Sequence, residues 1–434
     1  LHAGICGVCP KLSCQAWAII SVMSTPQSIS QILAFNRFAF AKLLTYRIQL
    51  VLAYQIMAVA VGWHIYEITR DPLSLGLIGL AEVIPYFASA LFAGYAVDHY
   101  SRRWFGVLSA LMLSMNGLTL TAIAAGYLQA NSVFWIYASI AFTGLARAFI
   151  APSYSALMAI ILPRDSYVRA AGLGTSVFQV GLIAGPALGG LLVGFAGKTV
   201  AYAITAGLCL NAAATLITLH VEEPPSAETA PVFTSIAQGL RFVWNSQILF
   251  SAQMLDMFAV LLGGAVAMLP AFIHDVYRLG PETLGVLRAA PAVGAMMMAF
   301  YLARHPINLH AGRYLLWSVA GFGVCIICFG ITQQYWLAGL FLLLSGAFDG
   351  VSVVLRSTIM QLATPDDMRG RVSAINGIFI GSSNELGAFE SGVAARLLGL
   401  VPSVVFGAVM TLVVVGVTAK FSPKLRNLEL HQLH

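Results

Sequence analysis

Charge is what this chain has least of. Asp, Glu, Lys and Arg make up 9% of its 434 residues, against about 25% in a soluble domain, so the chain cannot clothe itself in polar surface. Cysteine is scarce too: there are six, and although Cys6 and Cys9 stand in CxxC spacing, no second pair at ligand spacing joins them to make a metal site. A GxxxxGK[ST] loop and a soluble domain to hold ATP are both missing, which argues against a primary pump. No HExxH, no His-Asp or Cys-His cluster and no phosphate-cradling glycine loop occurs at membrane depth, which argues against the alternative of a membrane-embedded lipid-modifying enzyme. Basic residues form no patch away from loop ends, so the net charge of +6 does not describe a nucleic-acid surface.

What the chain has is apolar length. Apolar residues make up 59% and the mean hydropathy is +0.84, gathered in runs of about 20, the length that spans a bilayer as a helix. Walking the chain predicts twelve spans, at roughly 43–66, 74–97, 104–127, 132–155, 171–195, 199–220, 248–272, 282–303, 312–331, 335–360, 373–399 and 402–421. The fold class is therefore an all-α polytopic membrane protein of two six-helix bundles, 42–220 and 248–421. Between them lies a linker, 221–247, rich in Pro, Glu and Ser at its start and continuing as an amphipathic helix. A segment 1–41 precedes the first bundle and a tail 422–434 follows the second. Translation is expected to start at Met23, because residues 1–22 make a poor signal peptide, with Lys11 interrupting them.

Orientation follows from the basic residues of short loops. With both termini cytoplasmic, the inner loops and tail hold Arg102, Arg103, Arg164, Arg169, Arg241, Arg304, Arg313, Arg369, Arg371, Lys420, Lys424 and Arg426, and the outer loops little beyond Arg70, Lys198 and Arg278.

The chain also repeats itself. Shifted by 202, Gly144 falls on Gly346, Ser155 on Ser357, Pro163 on Pro365, Arg169 on Arg371, Gly185 on Gly387 and Gly190 on Gly392. A shift of 209 relates the start of each half less strongly, pairing Gly76 with Gly285 and Arg47 with Asp256. Two parallel six-helix halves about an axis along the membrane normal is a transporter architecture, with a substrate site near midplane between the halves.

The motifs now carry a resemblance. "GYAVDHYSRR" resembles the loop between the second and third helices that marks the major facilitator superfamily, with His99 and Ser101 standing where a basic residue and a Gly are usual. "GLIAGPALGG" resembles the fifth-helix motif of that superfamily's drug:proton antiporters. "LDMFAVLLGGAVAMLP", "GVLRAAPAVGA" and "MRGRVSAINGIFIGSSNELGAFESG" resemble the branch of siderophore, multidrug and macrolide exporters. The likeness runs from about residue 30 to the end. It implies a proton-coupled exporter of small amphipathic compounds, drugs or siderophores, in a bacterial inner membrane. Proton-coupled uptake of a small metabolite is the alternative. No cofactor beyond the proton gradient is implied; the partners are a small-molecule substrate, protons and the lipid bilayer, and a two-half fold can work as a monomer.

Site residues follow in two groups. By resemblance, Gly94, Asp98, Arg102 and Arg103, with the repeat-related Arg169 and Arg371, form a latch that holds the cytoplasmic side closed. Gly181, Gly185, Pro186, Gly189 and Gly190 form the fifth-helix motif, expected to set close packing and a bend. The second group comes from the rule that an ionisable residue at membrane depth is costly and faces a cavity or a partner. Arg47, Arg147, Asp256 and Asp349 lie in spans one, four, seven and ten, basic in the first half and acidic in the second. Under the repeat shifts Arg47 aligns with Asp256 and Arg147 with Asp349; pairs between the basic and the acidic half are expected to form when the inner gate closes, and to weaken when Asp256 or Asp349 is protonated. Static pairing is the alternative, with Arg356 as partner of Asp349. Glu82 is read either as a second proton site or as a partner of span eleven, and Glu385 and Glu390 lie on different faces of their helix.

Overall fold

The computed structural model describes residues 37–128, 130–221, 232–305, 307, 309–365 and 368–430. Met23 and the CxxC pair lie outside the described residues. Among these, twelve long helices cross between two faces: α1 (Arg37–Thr69), α2 (Pro72–His99), α3 (Arg102–Ala124), α4 (Ser132–Ile161), α5 (Arg164–Leu191), α6 (Lys198–Ile217), α7 (Gln247–Leu262), α8 (Pro281–Arg304), α9 (Ala311–Ile331), α10 (Tyr335–Ala363), α11 (Arg369–Leu398) and α12 (Leu400–Phe421). A π-helical turn, Leu192–Ala196, extends α5, and a broken stretch through Tyr277 extends α7. Eleven of the twelve are apolar enough to cross a membrane on composition alone. α11 carries Ser382, Ser383, Asn384, Glu385, Glu390 and Ser391 in its interior, and Glu385 lines the central cavity. Its polarity is that of a pore-facing helix, and its 30 residues exceed a bilayer's need.

Twelve crossings put both ends of the helical array on one face, here called the terminal side; the opposite face is the distal side. Short helix starts are set locally. Asp71 accepts a hydrogen bond from the Leu73 amide at 3.0 Å, with Pro72 following it at the first turn of α2, and Ser246 accepts from Leu249 at 3.4 Å to cap α7, each satisfying an otherwise orphaned amide. The linker forms a helix, Val232–Asn245, lying against the start of α11, where a Cβ on Gly239 would sit 3.1 Å from the Arg371 carbonyl oxygen.

The two halves repeat in structure as in sequence. Gly197 (φ 83°) and Gly399 (φ 94°) turn α5 into α6 and α11 into α12, 202 positions apart and in a backbone region that glycine alone enters freely. The cross-half contacts repeat as well. A Cβ on Gly190 of α5 would lie 2.5 Å from the nitrogen of Gly285 on α8, and one on Gly392 of α11 would lie 2.7 Å from the Cα of Gly76 on α2. Since Gly190 maps to Gly392 and Gly76 to Gly285, these are one crossing made twice, each needing two glycines so that backbones touch.

Both crossings sit in the distal half. Toward the terminal side, Gly172 on α5 and Gly377 on α11 have nothing within 4 Å of a Cβ position. Close glycine contact between the halves is thus seen at the distal end. Exposed aromatics ring both ends, Tyr127, Phe195 and Trp336 distally and Trp104, Trp244 and Phe421 on the terminal side, as expected for rings at two membrane interfaces.

Candidate functional site

Where the halves meet, a cavity of about 130 Å³ is lined by Tyr54, Glu82, Asn116, Arg288 and Glu385 among apolar neighbours such as Ile78 and Leu120. Close helix approach places its charges. A Cβ on Gly144 would lie 2.2 Å from the Glu82 carbonyl oxygen, so α4 rests on α2 without an intervening side chain, and Arg147, one turn on, reaches Glu82. In the same way a Cβ on Gly79 would lie 2.5 Å from the Glu385 carbonyl oxygen, which brings α11 of the second half onto α2 of the first.

Arg147 and Glu82 form an ion pair. Arg147 also donates to the Tyr54 hydroxyl at 2.8 Å, lies 4.1 Å above that ring, and approaches Glu385 at 3.8 Å. Tyr54 donates to Glu82 at 3.1 Å. Arg288 donates to the Ala58 carbonyl at 3.4 Å. Nearby, Asn116 donates to Thr143 at 2.5 Å. The arrangement holds two guanidiniums and two carboxylates, one of each from each half. The interior pairing compensates charges that would otherwise be expensive at this depth.

The other sequence-predicted charges lie elsewhere and pair within their own halves. Asp256 is bonded to Arg356, both buried, at 6% and 5% exposure. Beside them Gln253 donates to Asn376 at 2.8 Å. This corrects the expected pairing of Arg356 with Asp349: α10 turns its Arg356 toward α7, where the Asp256 carboxylate is nearer than one on its own helix. Among the described residues Asp349 has no hydrogen-bond or ion-pair partner. Arg47 stacks over Tyr154 at 4.1 Å and Phe178 at 5.2 Å. The expected pairing of Arg47 or Arg147 with Asp256 or Asp349 is not formed among the described residues, since Asp256 is taken by Arg356 and Arg147 by Glu82 and Tyr54.

In the latch set, Arg103 donates to the Leu219 carbonyl oxygen at 2.8 Å, and Arg371 to the Met368 sulfur at 3.2 Å; the two do not meet. Arg102 begins α3. Gly94, Asp98 and Arg169 fall on helical backbone, and their contacts lie outside the described residues. In the fifth-helix motif, a Cβ on Gly181, Gly185 or Gly189 would meet Val51, Gln55 or Ile56 of α1, at 2.5, 2.5 and 3.1 Å, whereas Gly190 and the Pro186 carbonyl face Gly285 of α8. The motif thus packs α5 on its own half along one edge and on the opposite half along another.

Sequence reasoning missed Arg288, an arginine inside span eight that the rule on charges at membrane depth would have flagged. It also missed a set of polar contacts that bridges the halves at the distal end. There Tyr66 donates to Asp275, Arg70 bonds His274, and Arg396 lies 3.5 Å from Asp71. His274 lies 2.6 Å from Asp275. Nothing in composition marks these residues, which sit at helix ends among ordinary loop polars.

A family model described as the Major Facilitator Superfamily matches residues 47–388. Among curated proteins, the multidrug efflux pump Tap of Mycolicibacterium fortuitum is 26% identical over 86% of this chain and 93% of its own length. The enterobactin exporter EntS of Escherichia coli O1:K1 is 23% identical over 87% and 92%. Among solved structures, a bacterial homologue of the human lysosomal transporter Spinster, inward-facing and unoccupied, superposes with TM-score 0.69 at 14% identity, covering 90% of this chain and 99% of that one. A D-xylose-proton symporter superposes with TM-score 0.67 at 13% identity, covering 90% and 99%. These likenesses establish the fold.

Proposed function

The chain belongs to the major facilitator superfamily, and on that premise we propose that it is a proton-coupled exporter of small amphipathic compounds, drugs or siderophores, working by alternating access. The family and fold are those of transporters rather than enzymes, and the chain is a multi-pass membrane protein. The observation that carries the reading is the cluster of Glu82, Arg147, Arg288 and Glu385 at the inner end of a cavity between the halves. A compensated set of acids and bases at the moving interface lets a proton change the balance between two states. Relatedness to a multidrug pump and a siderophore exporter over most of the chain supports export. On this reading the terminal side is the bacterial cytoplasm, the basic loops face it, and cargo loads from that side. A single chain encloses the route, and a monomer suffices.

The test is transport by the purified protein in liposomes under an imposed pH gradient, with ethidium as a fluorescent cation and a catecholate siderophore as cargo. Movement of either against its own gradient, in exchange for protons, is expected. Movement of cargo together with protons would replace export by uptake, and a cargo flux indifferent to the gradient would end the proton-coupled reading.

A further inference from the structure

Arg147 is approached by two carboxylates that differ in which half carries them. Glu82 belongs to the same half, and α2 and α4 are locked together at Gly144, where a Cβ would strike backbone. Its ion pair therefore travels with that half. Glu385 belongs to the other half and reaches Arg147 at 3.8 Å, only because α11 lies backbone to backbone on α2 at Gly79 and at Gly76. That contact is one of the two distal crossings that must come apart for the distal side to open.

We propose that Glu385 is a proton-binding site, taking up one proton from the distal side when the halves part distally and releasing it to the terminal side when α11 returns to α2. The inference rests on the proton-coupled reading above and names its site. When the distal crossing opens, Glu385 leaves Arg147 while Glu82 keeps it. A carboxylate at membrane depth without its cation is expensive, and neutralising it with a proton is the least costly remedy. On reclosure the Arg147 guanidinium again favours the ionised form, and the proton leaves through the side now open. The balance is one proton taken from distal water and one delivered to terminal water per cycle, with no other bond made or broken.

The groups facing this site are Tyr54 of α1, Glu82 of α2, Arg147 of α4 and Arg288 of α8. α7 contributes the apolar Ala267 and Pro270. The Glu82 charge is taken by Arg147 and Tyr54, and among the described residues Arg288 forms no ion pair with Glu385. Other acids are placed differently: Asp256 is held by Arg356 inside one half, and so does not change partner as the halves rock.

The test needs no known cargo. Spin labels at Tyr127→Cys and Trp336→Cys, distal positions on opposite halves and both well exposed, report distal opening by pulsed dipolar spectroscopy. The full chain is placed in lipid nanodiscs on a background stripped of reactive cysteines. In the otherwise unmodified chain the long-distance population grows as pH falls, by about fivefold or more. Glu385→Gln, a fixed stand-in for the protonated form, shows that population at every pH, Glu385→Asp restores the titration, and Glu390→Gln titrates as the parent does. Glu385→Gln titrating like the parent, or Asp349→Asn alone abolishing the response, would overturn the assignment while leaving proton coupling in place. A parent chain with no pH response at all would overturn the proton-coupled reading itself.

Discussion

Gly190 and Gly172 stand on one face of α5, eighteen residues and so five full turns apart. The first has the backbone of α8 against it and the second has open space. α11 shows the same contrast, Gly392 against Gly76 at the distal end and Gly377 facing nothing. Two ends of the same helices, built from the same small residue, are in opposite states of contact. The bonds and ion pairs named above that cross between the halves, from Arg147 with Glu385 to Arg396 with Asp71, lie from the level of Arg147 outward to the distal end. Glycine here is thus a contact surface between the halves at the distal end, and on the alternating-access reading proposed above that contact is one of two alternatives.

The sharpest division between bonds inside a half and bonds across the halves is drawn at Asp256. Asp256→Ala strands the buried Arg356 guanidinium and is expected to cost about 3–5 kcal/mol of stability; replacing the pair together, Asp256→Leu with Arg356→Met, recovers most of it. Thermal unfolding of the detergent-solubilised protein measures both, and a single variant as stable as the parent would mean that the pair is not structural.

Gly190→Leu drives a side chain into α8 backbone and is expected to disfavour distal closure by about 1–3 kcal/mol, a population shift of roughly 5- to 150-fold, with little loss of fold because the helix can part from its partner. Gly172→Leu fits the empty space beside Gly172 and, on the alternating-access reading, shifts the balance the opposite way, toward retained distal closure. Cysteine cross-linking across each end reads the two shifts, and equal effects of the two substitutions would show that α5 does not alternate. The smallest effect is at the distal rim, where Asp275→Asn weakens the contacts to Tyr66 and His274. The rim is half-exposed, and about 0.2–1 kcal/mol is expected, seen as a faster rate of distal opening with the fold untouched.

Much of this was legible in the residues. Twelve long helices stand where twelve spans were expected, the seventh breaking after Leu262, and the 202-residue repeat reappears in Gly197 and Gly399 turning equivalent corners. Glycine pairs noticed as a repeat, Gly76 with Gly285 and Gly190 with Gly392, proved to be the four members of the two distal crossings. The charges were legible as unusual but not as pairs. Arg147 was expected to pair with an acid of span seven or ten and instead meets Glu82 of α2 and Glu385 of α11. Glu82 had been weighed as a partner of span eleven, and it shares a guanidinium with that helix. Arg356 was assigned to its own helix and bonds another.

Hydropathy and internal repetition are sums over local sequence, and they need only the bilayer's thickness and the cost of burying charge to become spans, halves and topology. The chain alone therefore determined a two-half helical membrane protein with a few ionisable groups held at depth. Which acid meets which base depends on the rotation of each helix about its axis and on which neighbour lies within a few ångströms, set by glycine contacts between helices far apart in the chain. Only the tertiary structure decided those pairings, and only it decided at which end the glycines of the two halves meet.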